Sequence, residues 1–360
     1  MQVINQEAEV FLKKYLDNYA PTGFEMPGQQ LWLEYLKPFI DTYEVDAYGS
    51  VYGVINPESD YRVVIEAHAD EISWYVNYIS KDGFIKVIRN GGSDVVIAPS
   101  KRVHIHTKKG LVRGVFGWPA IHVRQGDDAK LSPSLENIFI DVGADSAKEV
   151  EEMGIHVGSV VTFDDEMEVI NNRYYCGRAL DNRIGGFCIA QVARLIKEHQ
   201  IKLPFGLYIV NAVQEEVGLR GAEMITQRIK PHVAIITDVS HNTNTPLMKT
   251  DKLGDVKGGA GPDLSIAPAV HNNLLQLIIN TAIEKEIPYQ LSASSRVTGT
   301  DTDAFAYSNG GVPSALISLP LKYMHTTVEM AHKSDVENVI RLIFESLQHI
   351  EYQQDFRYFK

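Results

Sequence analysis

The segment Leu207-Tyr208-Ile209-Val210-Asn211-Ala212-Val213-Gln214-Glu215-Glu216-Val217-Gly218-Leu219-Arg220-Gly221-Ala222 decides how this chain is read. Leu207 to Val213 is rich in apolar and β-branched residues without clean alternation, which predicts a strand covered on both faces in a parallel sheet. The run stops at two adjacent carboxylates, Glu215 and Glu216, and a glycine. In open α/β sheets the crevice beyond the carboxyl ends of the strands is where ligands bind, so acids delivered there are candidates for chemistry. Adjacent carboxylates at a strand end point in different directions, which lets one bind a metal while the other moves a proton. Taken alone, the pair also reads as solvated acids opening a helix, where the macrodipole favours negative charge.

Working outward, the pattern recurs. Arg62-Val63-Val64-Ile65-Glu66-Ala67-His68-Ala69-Asp70 reads as a central strand ending in His68 and Asp70, and Val233 to Asp238 as another apolar strand ending in an acid. Pro313 to Leu319 is a further strand, before Lys322-Tyr323-Met324-His325-Thr326-Thr327-Val328-Glu329. Apolar spacing predicts helices over Glu7 to Tyr19, Gln29 to Ile40, about Ile184 to Glu198, Asn273 to Lys285 and Ser334 to Gln353. The class is α/β, with a mainly parallel central sheet and flanking helices.

After Glu71 the texture changes to short alternating pieces such as Val103-His104-Ile105-His106 and Leu111 to Phe116, separated by glycine, proline and lysine turns. That is the pattern of a small β barrel or sandwich. It continues through Ile138 to Gly143, a short helix from Ser146 to Met153, and Gly158 to Phe163. The expected organisation is a catalytic domain formed by 1–71 and 165–360, with a β-barrel-like domain, 72–164, inserted into it.

At 360 residues, 44% hydrophobic and 22% charged, the chain has the composition of an ordinary globular protein. A formal net charge of -12, without a basic patch, argues against nucleic acid as a partner. The amino-terminal residues lack a basic region followed by an apolar one, and no apolar run reaches membrane-spanning length, so the expected location is cytoplasmic, with no membrane partner. Cys176 and Cys188 are the only cysteines, too few for a disulfide framework, and read as buried thiols with metal ligation a minor alternative.

Strands ending in His68, Asp70, Glu215, Glu216 or Asp238, with Asp181 and His325 in loops flanked by small residues, would gather two imidazoles and several carboxylates at one sheet edge. Singly, each has a plain explanation as a helix cap or a satisfied histidine. As a set of nitrogen and oxygen donors without thiolate, they suit a pair of borderline divalent ions. His104, His106, His122 and His156 lie in the insert and lack that context.

The segments Ala67-His68-Ala69-Asp70-Glu71-Ile72, Leu180-Asp181-Asn182-Arg183-Ile184-Gly185, Val213 to Ala222, Asp238-Val239-Ser240 and Tyr323 to Glu329 resemble, in order, the tetrahedral (TET) aminopeptidases. These are dinuclear metallopeptidases that include glutamyl and deblocking aminopeptidases and were often labelled endoglucanases. The likeness extends over almost the whole chain, including Asn137 to Ala144 of the insert. It implies a zinc-exopeptidase-like fold and an aminopeptidase acting on short peptides. Two divalent metal ions per subunit are implied, zinc first, with cobalt or manganese accepted by the same donors. By position, Asp181 would bridge the two metals, His68 and Asp238 would complete one ion, and Glu216 and His325 the other. Asp70 would orient the His68 imidazole. Glu215 would be the general base acting on a water between the metals. The resemblance further implies a homo-oligomer, in which dimers form through the inserted domain and assemble into a hollow dodecamer with inward-facing sites. His122 is a candidate to reach a partner's site, though a surface histidine is the plainer reading.

This chain departs from the pattern at Ser73, where glycine is common, and at the Trp74 that follows it. Thr326-Thr327 stands for Ser-Pro, and Lys322 for arginine. Each lies beside a ligand and bears on substrate preference rather than on the metals. Two other functions remain open: a metal-dependent amidohydrolase or deacylase on the same fold, and an inactive assembly protein. Against the latter stands the complete donor set together with Glu215. A glycosidase fits poorly, since glycoside hydrolysis ordinarily uses two carboxylates and no histidine ligands.

Overall fold

The computed structural model describes residues 2–126 and 130–359, and every candidate site residue lies among them. The strands whose sequence lacks alternation occupy the middle of the sheet. Gly206–Ala212, Arg62–His68, Val233–His241 and Ser314–Lys322 run side by side and parallel, so their carboxyl ends open on one edge. Ile209, Ile65 and Ile235 sit in register across three of these strands, all fully buried. Each such side chain contributes roughly 1.5–3 kcal/mol on burial, which makes this row the platform under the site.

The sheet is mixed rather than wholly parallel. Thr42–Val45 and Val51–Ile55 extend it on one side, and Glu329–His332, Tyr174–Gly177 and Glu168–Ile170 on the other, all through antiparallel pairs. Asp263–Ile266 branches off Ser314–Lys322 and carries Gln290–Ala293. Those short strands lack a run long enough to announce them in sequence.

The helix Leu180–Glu198 lies against the sheet, buried from Leu180 through Ile196. Gly185 permits the approach: a Cβ there would stand 2.2 Å from Asn182 Oδ1 and 3.1 Å from Ala67 Cβ. At the next residue, the Gly186 carbonyl accepts a hydrogen bond from Trp32 Nε1 at 2.8 Å. Element ends differ from the sequence expectation where packing or proline intervenes. The second helix is Met26–Leu36 and gives way to a 3₁₀ turn, Lys37–Phe39, because Pro38 cannot donate to a continuing α-helix. The last helix stops at Gln348 instead of Gln353; beyond it Ile350 turns into the core while residues 351–353 are exposed.

Ser73–Ile79, Ile85–Asn90, Phe139–Asp141, Gly110–Gly117, Arg102–Thr107 and Val160–Phe163 close into a six-stranded barrel in that spatial order. It has its own apolar core, centred on Trp74, whose ring packs edge-on against Phe116 at 5.5 Å and Phe163 at 6.4 Å. At the junction with the sheet, Glu71 is buried and ion-paired to Arg178, with Arg183 at 3.7 Å. The Arg183 guanidinium stacks over Tyr15 at 4.3 Å. Buried charges are tolerable only when matched in this way.

Candidate active site

The carboxyl ends of the four parallel strands and the first turn of the helix Leu180–Glu198 bring together all seven candidate residues. His68 closes its strand and is 1% exposed. Its Nε2 lies 3.2 Å from Asp181 Oδ1, 3.9 Å from Asp238 Oδ1 and 3.9 Å from Glu215 Oε2. Asp181 turns its other oxygen to His325: Oδ2 is 3.3 Å from His325 Nε2, which is 3.5 Å from Glu216 Oε1. One carboxylate therefore faces two imidazoles, one on each oxygen. Three groups of side chains, His68-Asp181-Asp238, His68-Glu215-Glu216 and Asp181-Glu216-His325, each bring their ligand atoms within 4.8 Å of one another.

Asp70 holds this arrangement from behind. Its carboxylate lies 3.4 Å from His68 Nδ1, accepts from the backbone N–H of Glu215 at 3.0 Å and of Glu216 at 3.2 Å, and accepts from Thr22 Oγ1 at 2.9 Å. A carboxylate or carbonyl on the far nitrogen of an imidazole sets its tautomer and leaves the near nitrogen free to bind.

Electrostatically the cluster is crowded with acid. Burial, with the neighbouring Asp238, Asp301 and Glu216, pushes the Glu215 carboxyl up to about 10 against the opposing pull of His68. Burial likewise raises Asp238 to about 7. For the imidazoles burial acts downward, but hydrogen bonds to Asp181 and Glu216 lift His325 to about 11, and those to Asp181 and Asp70 lift His68 well above the ordinary range. For Asp181 burial acts upward, and the two imidazoles outweigh it and hold the carboxyl low. Protonated histidines thus balance the carboxylates in the protein alone. A cation placed between the same atoms would displace those protons, which is how metal binding couples to protonation. The donor set, oxygen and imidazole nitrogen with carboxylates in excess, fits divalent ions.

Several supporting residues escaped the sequence reading. Glu329 is buried and ties two candidate ligands together, accepting from Asp181 N at 3.1 Å and His325 N at 2.7 Å. Its only signal was an acid four residues after His325. Gly92, in a barrel loop, places its carbonyl 3.3 Å from His325 Nδ1, and a Cβ there would stand 2.5 Å from that nitrogen. The second imidazole is therefore oriented by the barrel. Gln214 and His325 adopt φ of 58° and 61°, left-handed conformations uncommon outside glycine and concentrated at functional sites.

Other singled-out residues lie elsewhere. His122 is exposed in a 3₁₀ turn, Ile121–Val123, of the insert. His104 and His106 sit in a barrel strand, His104 Nδ1 bonding Tyr19 Oη at 2.6 Å and His106 Nε2 bonding Thr162 Oγ1 at 2.9 Å. Cys176 and Cys188 are buried and free. Of the departures, Ser73 Oγ accepts from Asn90 at 2.8 Å, Thr327 bonds Lys101 from the barrel, and Lys322 covers the Tyr174 ring at 4.8 Å.

Buried imidazoles and carboxylates at the carboxyl ends of parallel strands, opening into a cleft of about 690 Å³, define a hydrolase-type site able to hold divalent cations. Comparison with known proteins identifies the family: residues 49–342 match the M42 glutamyl aminopeptidases, and the chain belongs to that family. It is 33% identical over 333 residues to the lysyl aminopeptidase of Pyrococcus furiosus, a match covering 92% of this chain and 94% of that one. Among solved structures, the TET aminopeptidase of a marine sediment archaeon of the Thaumarchaeota superposes with a TM-score of 0.91 at 32% identity, covering 96% of this chain and 97% of that one. The TET1 peptidase of Pyrococcus horikoshii, which can assemble into a tetrahedron or a large octahedral shell, gives 0.82 at 27%, covering 94% and 98%. The protein is thus a peptidase of the aminopeptidase type. Among the described residues no helix is long and apolar enough to cross a membrane.

Proposed function

We propose that the protein removes N-terminal residues from short peptides with two divalent metal ions, zinc first and cobalt or manganese as alternatives. The observation that carries this reading is Asp181, whose two oxygens face His68 and His325 separately. His68 and Asp238 would hold one ion, Glu216 and His325 the other, and Asp181 would contribute to both. When bound, the ions would supply Lewis-acid polarisation and a lowered pKa of water. Glu215 takes the proton of the attacking water and returns it to the leaving amine. Asp70 orients the His68 imidazole and fixes the backbone of Glu215 and Glu216. The acids around the cleft receive the free α-amine of the peptide. The test is hydrolysis of aminoacyl p-nitroanilides before and after treatment with a chelator. Activity that is abolished by chelation and restored by zinc, cobalt or manganese is expected; activity only on N-acylated substrates assigns a deacylase instead.

In this reading 1–71 and 165–360 form the catalytic domain and 72–164 the assembly domain, supported by their separate apolar cores. The barrel exposes Tyr78, Phe84, Ile88 and Leu111, apolar surface of the kind that pairing with a second copy would cover. A shell of dimers, with the tetrahedral dodecamer as its form, would admit only short or unfolded peptides and so make a cytoplasmic aminopeptidase safe. His122 stays a candidate for contact with a partner subunit. Light scattering is expected to find a large assembly; a monomer at micromolar concentration that is active on long polypeptides would end the enclosure argument and leave the chemistry intact.

A further inference from the structure

Beyond the metal-binding cluster, the cleft is floored by one face of the sheet. Asp238 lies opposite Ser318 on one neighbouring strand, and Ser318 opposite Asp263 on the next, so these three side chains share a face. Ser240, Ser265 and Ser292 share it too, because side chains on a strand repeat every second residue, and all six residues line the cleft. The intervening Leu264, Ile317 and Leu319 are buried on the opposite face. The floor therefore carries four serine hydroxyls around Asp263, with Asp238 at the metal-binding end and Leu316 on the same face, while Val256 and Val297 line the cleft beside it.

Asp263 is 1% exposed. Its Oδ2 accepts a hydrogen bond from Ser292 Oγ at 2.9 Å. Its Oδ1 and the buried Ser240 hydroxyl make no other hydrogen bond of standard geometry, and the two groups face each other, so Ser240 joins Ser292 in holding the buried carboxylate. Among the described residues that line the cleft there is no lysine or arginine. A buried carboxylate without a cation is costly unless something completes it.

We propose that Asp263, with the hydroxyls of Ser292 and Ser240, receives the cationic side chain of an N-terminal lysine or arginine; this deepens, and rests on, the aminopeptidase reading above. The hydroxyl of Ser292 spends its proton on Asp263 and so presents lone pairs, while a lysine ammonium brings three donors and no acceptor. The reach agrees. Asp238 and Asp263 are two strands apart, about 9.5 Å between backbones, and a lysine side chain spans roughly 6 Å at ordinary bond lengths. With the α-amine and carbonyl at the metals, that side chain ends against this floor. A norleucyl side chain, the same four carbons without the terminal ammonium, would leave the carboxylate and hydroxyls unsatisfied, and a glutamyl side chain would set like charges together.

The experiment compares kcat/KM for lysyl, norleucyl and glutamyl p-nitroanilides on metal-loaded protein, wild type and Asp263→Asn, with metal content measured in both. The lysyl substrate is expected to exceed the norleucyl one by about tenfold or more, in keeping with a site that rejects an analogue lacking its polar group. Asp263→Asn is expected to bring that ratio within about threefold of unity with metal content unchanged, and Ser292→Ala to lower it partway. Equal lysyl and norleucyl rates in wild type, or a ratio that survives Asp263→Asn, overturns the assignment. Failure to cleave any of the three with both ions bound overturns the aminopeptidase reading instead. In that case calorimetry decides the pocket: L-lysine bound no more tightly than L-norleucine overturns it.

Discussion

Replacing Glu215 by glutamine is expected to lower turnover by about two to four orders of magnitude, the usual worth of a general base, with the metal content retained. The substitution keeps the shape of the side chain and removes the oxygen that can take a proton. The backbone N–H of Glu215 is pinned to Asp70 Oδ1 at 3.0 Å, so the loop holds its place when the side chain changes. In the protein alone, burial and neighbouring acids push the Glu215 carboxyl up to about 10, so it keeps its proton through neutral pH. Divalent charge beside it acts in the opposite sense and favours the carboxylate. The basic form therefore accompanies metal loading. Steady-state kinetics with elemental analysis checks the prediction. Near wild-type turnover in Glu215→Gln moves the base to another residue, and a matching loss of metal makes Glu215 a ligand, an option its grouping with His68 and Glu216 keeps open.

Alanine at Asp181 is expected to empty both metal positions, where alanine at Asp238 or Glu216 acts mainly on one. The two Asp181 oxygens stand 3.2 Å from His68 Nε2 and 3.3 Å from His325 Nε2. If two ions sit as proposed, removing the side chain would take one donor from each and the negative charge between them. Elemental analysis of the purified variant is expected to fall from up to two ions per chain toward none, with activity falling in step. Metal content unchanged in Asp181→Ala would remove that residue from the site.

The candidate site was legible in the sequence to an unusual degree because its parts sit at strand ends. A strand buried on both faces must be apolar throughout, so the polar residue that ends it stands out, as His68 does after Val63-Val64-Ile65 and Glu215-Glu216 do after Ile209-Val210. Asp238 was legible for the same reason even though its strand continues to His241. Asp181 and His325 were harder, since neither ends an apolar run; small flanking residues marked them only weakly, the family's motifs gave them their expected roles, and the structure brings them to the same cluster.

Sequence by itself determined the elements whose signal is local: the four parallel strands, the longer helices but not Arg220–Ile229, the change of texture at the barrel and the chemical types of the donors. Periodicity and apolar runs are properties of neighbouring residues, so they survive without knowledge of the chain path. Only the tertiary structure decided which oxygen of Asp181 meets which imidazole, and that His325, 233 residues away from Gly92, takes its orientation from a barrel carbonyl. It alone joined Asp263–Ile266 and Gln290–Ala293 into the floor of the cleft, because strands of 4 residues are too short to show a period. The left-handed turns at Gln214 and His325 were equally silent, for those residues carry no local preference for positive φ. Such features depend on contacts between segments far apart in the chain, and packing geometry sets them.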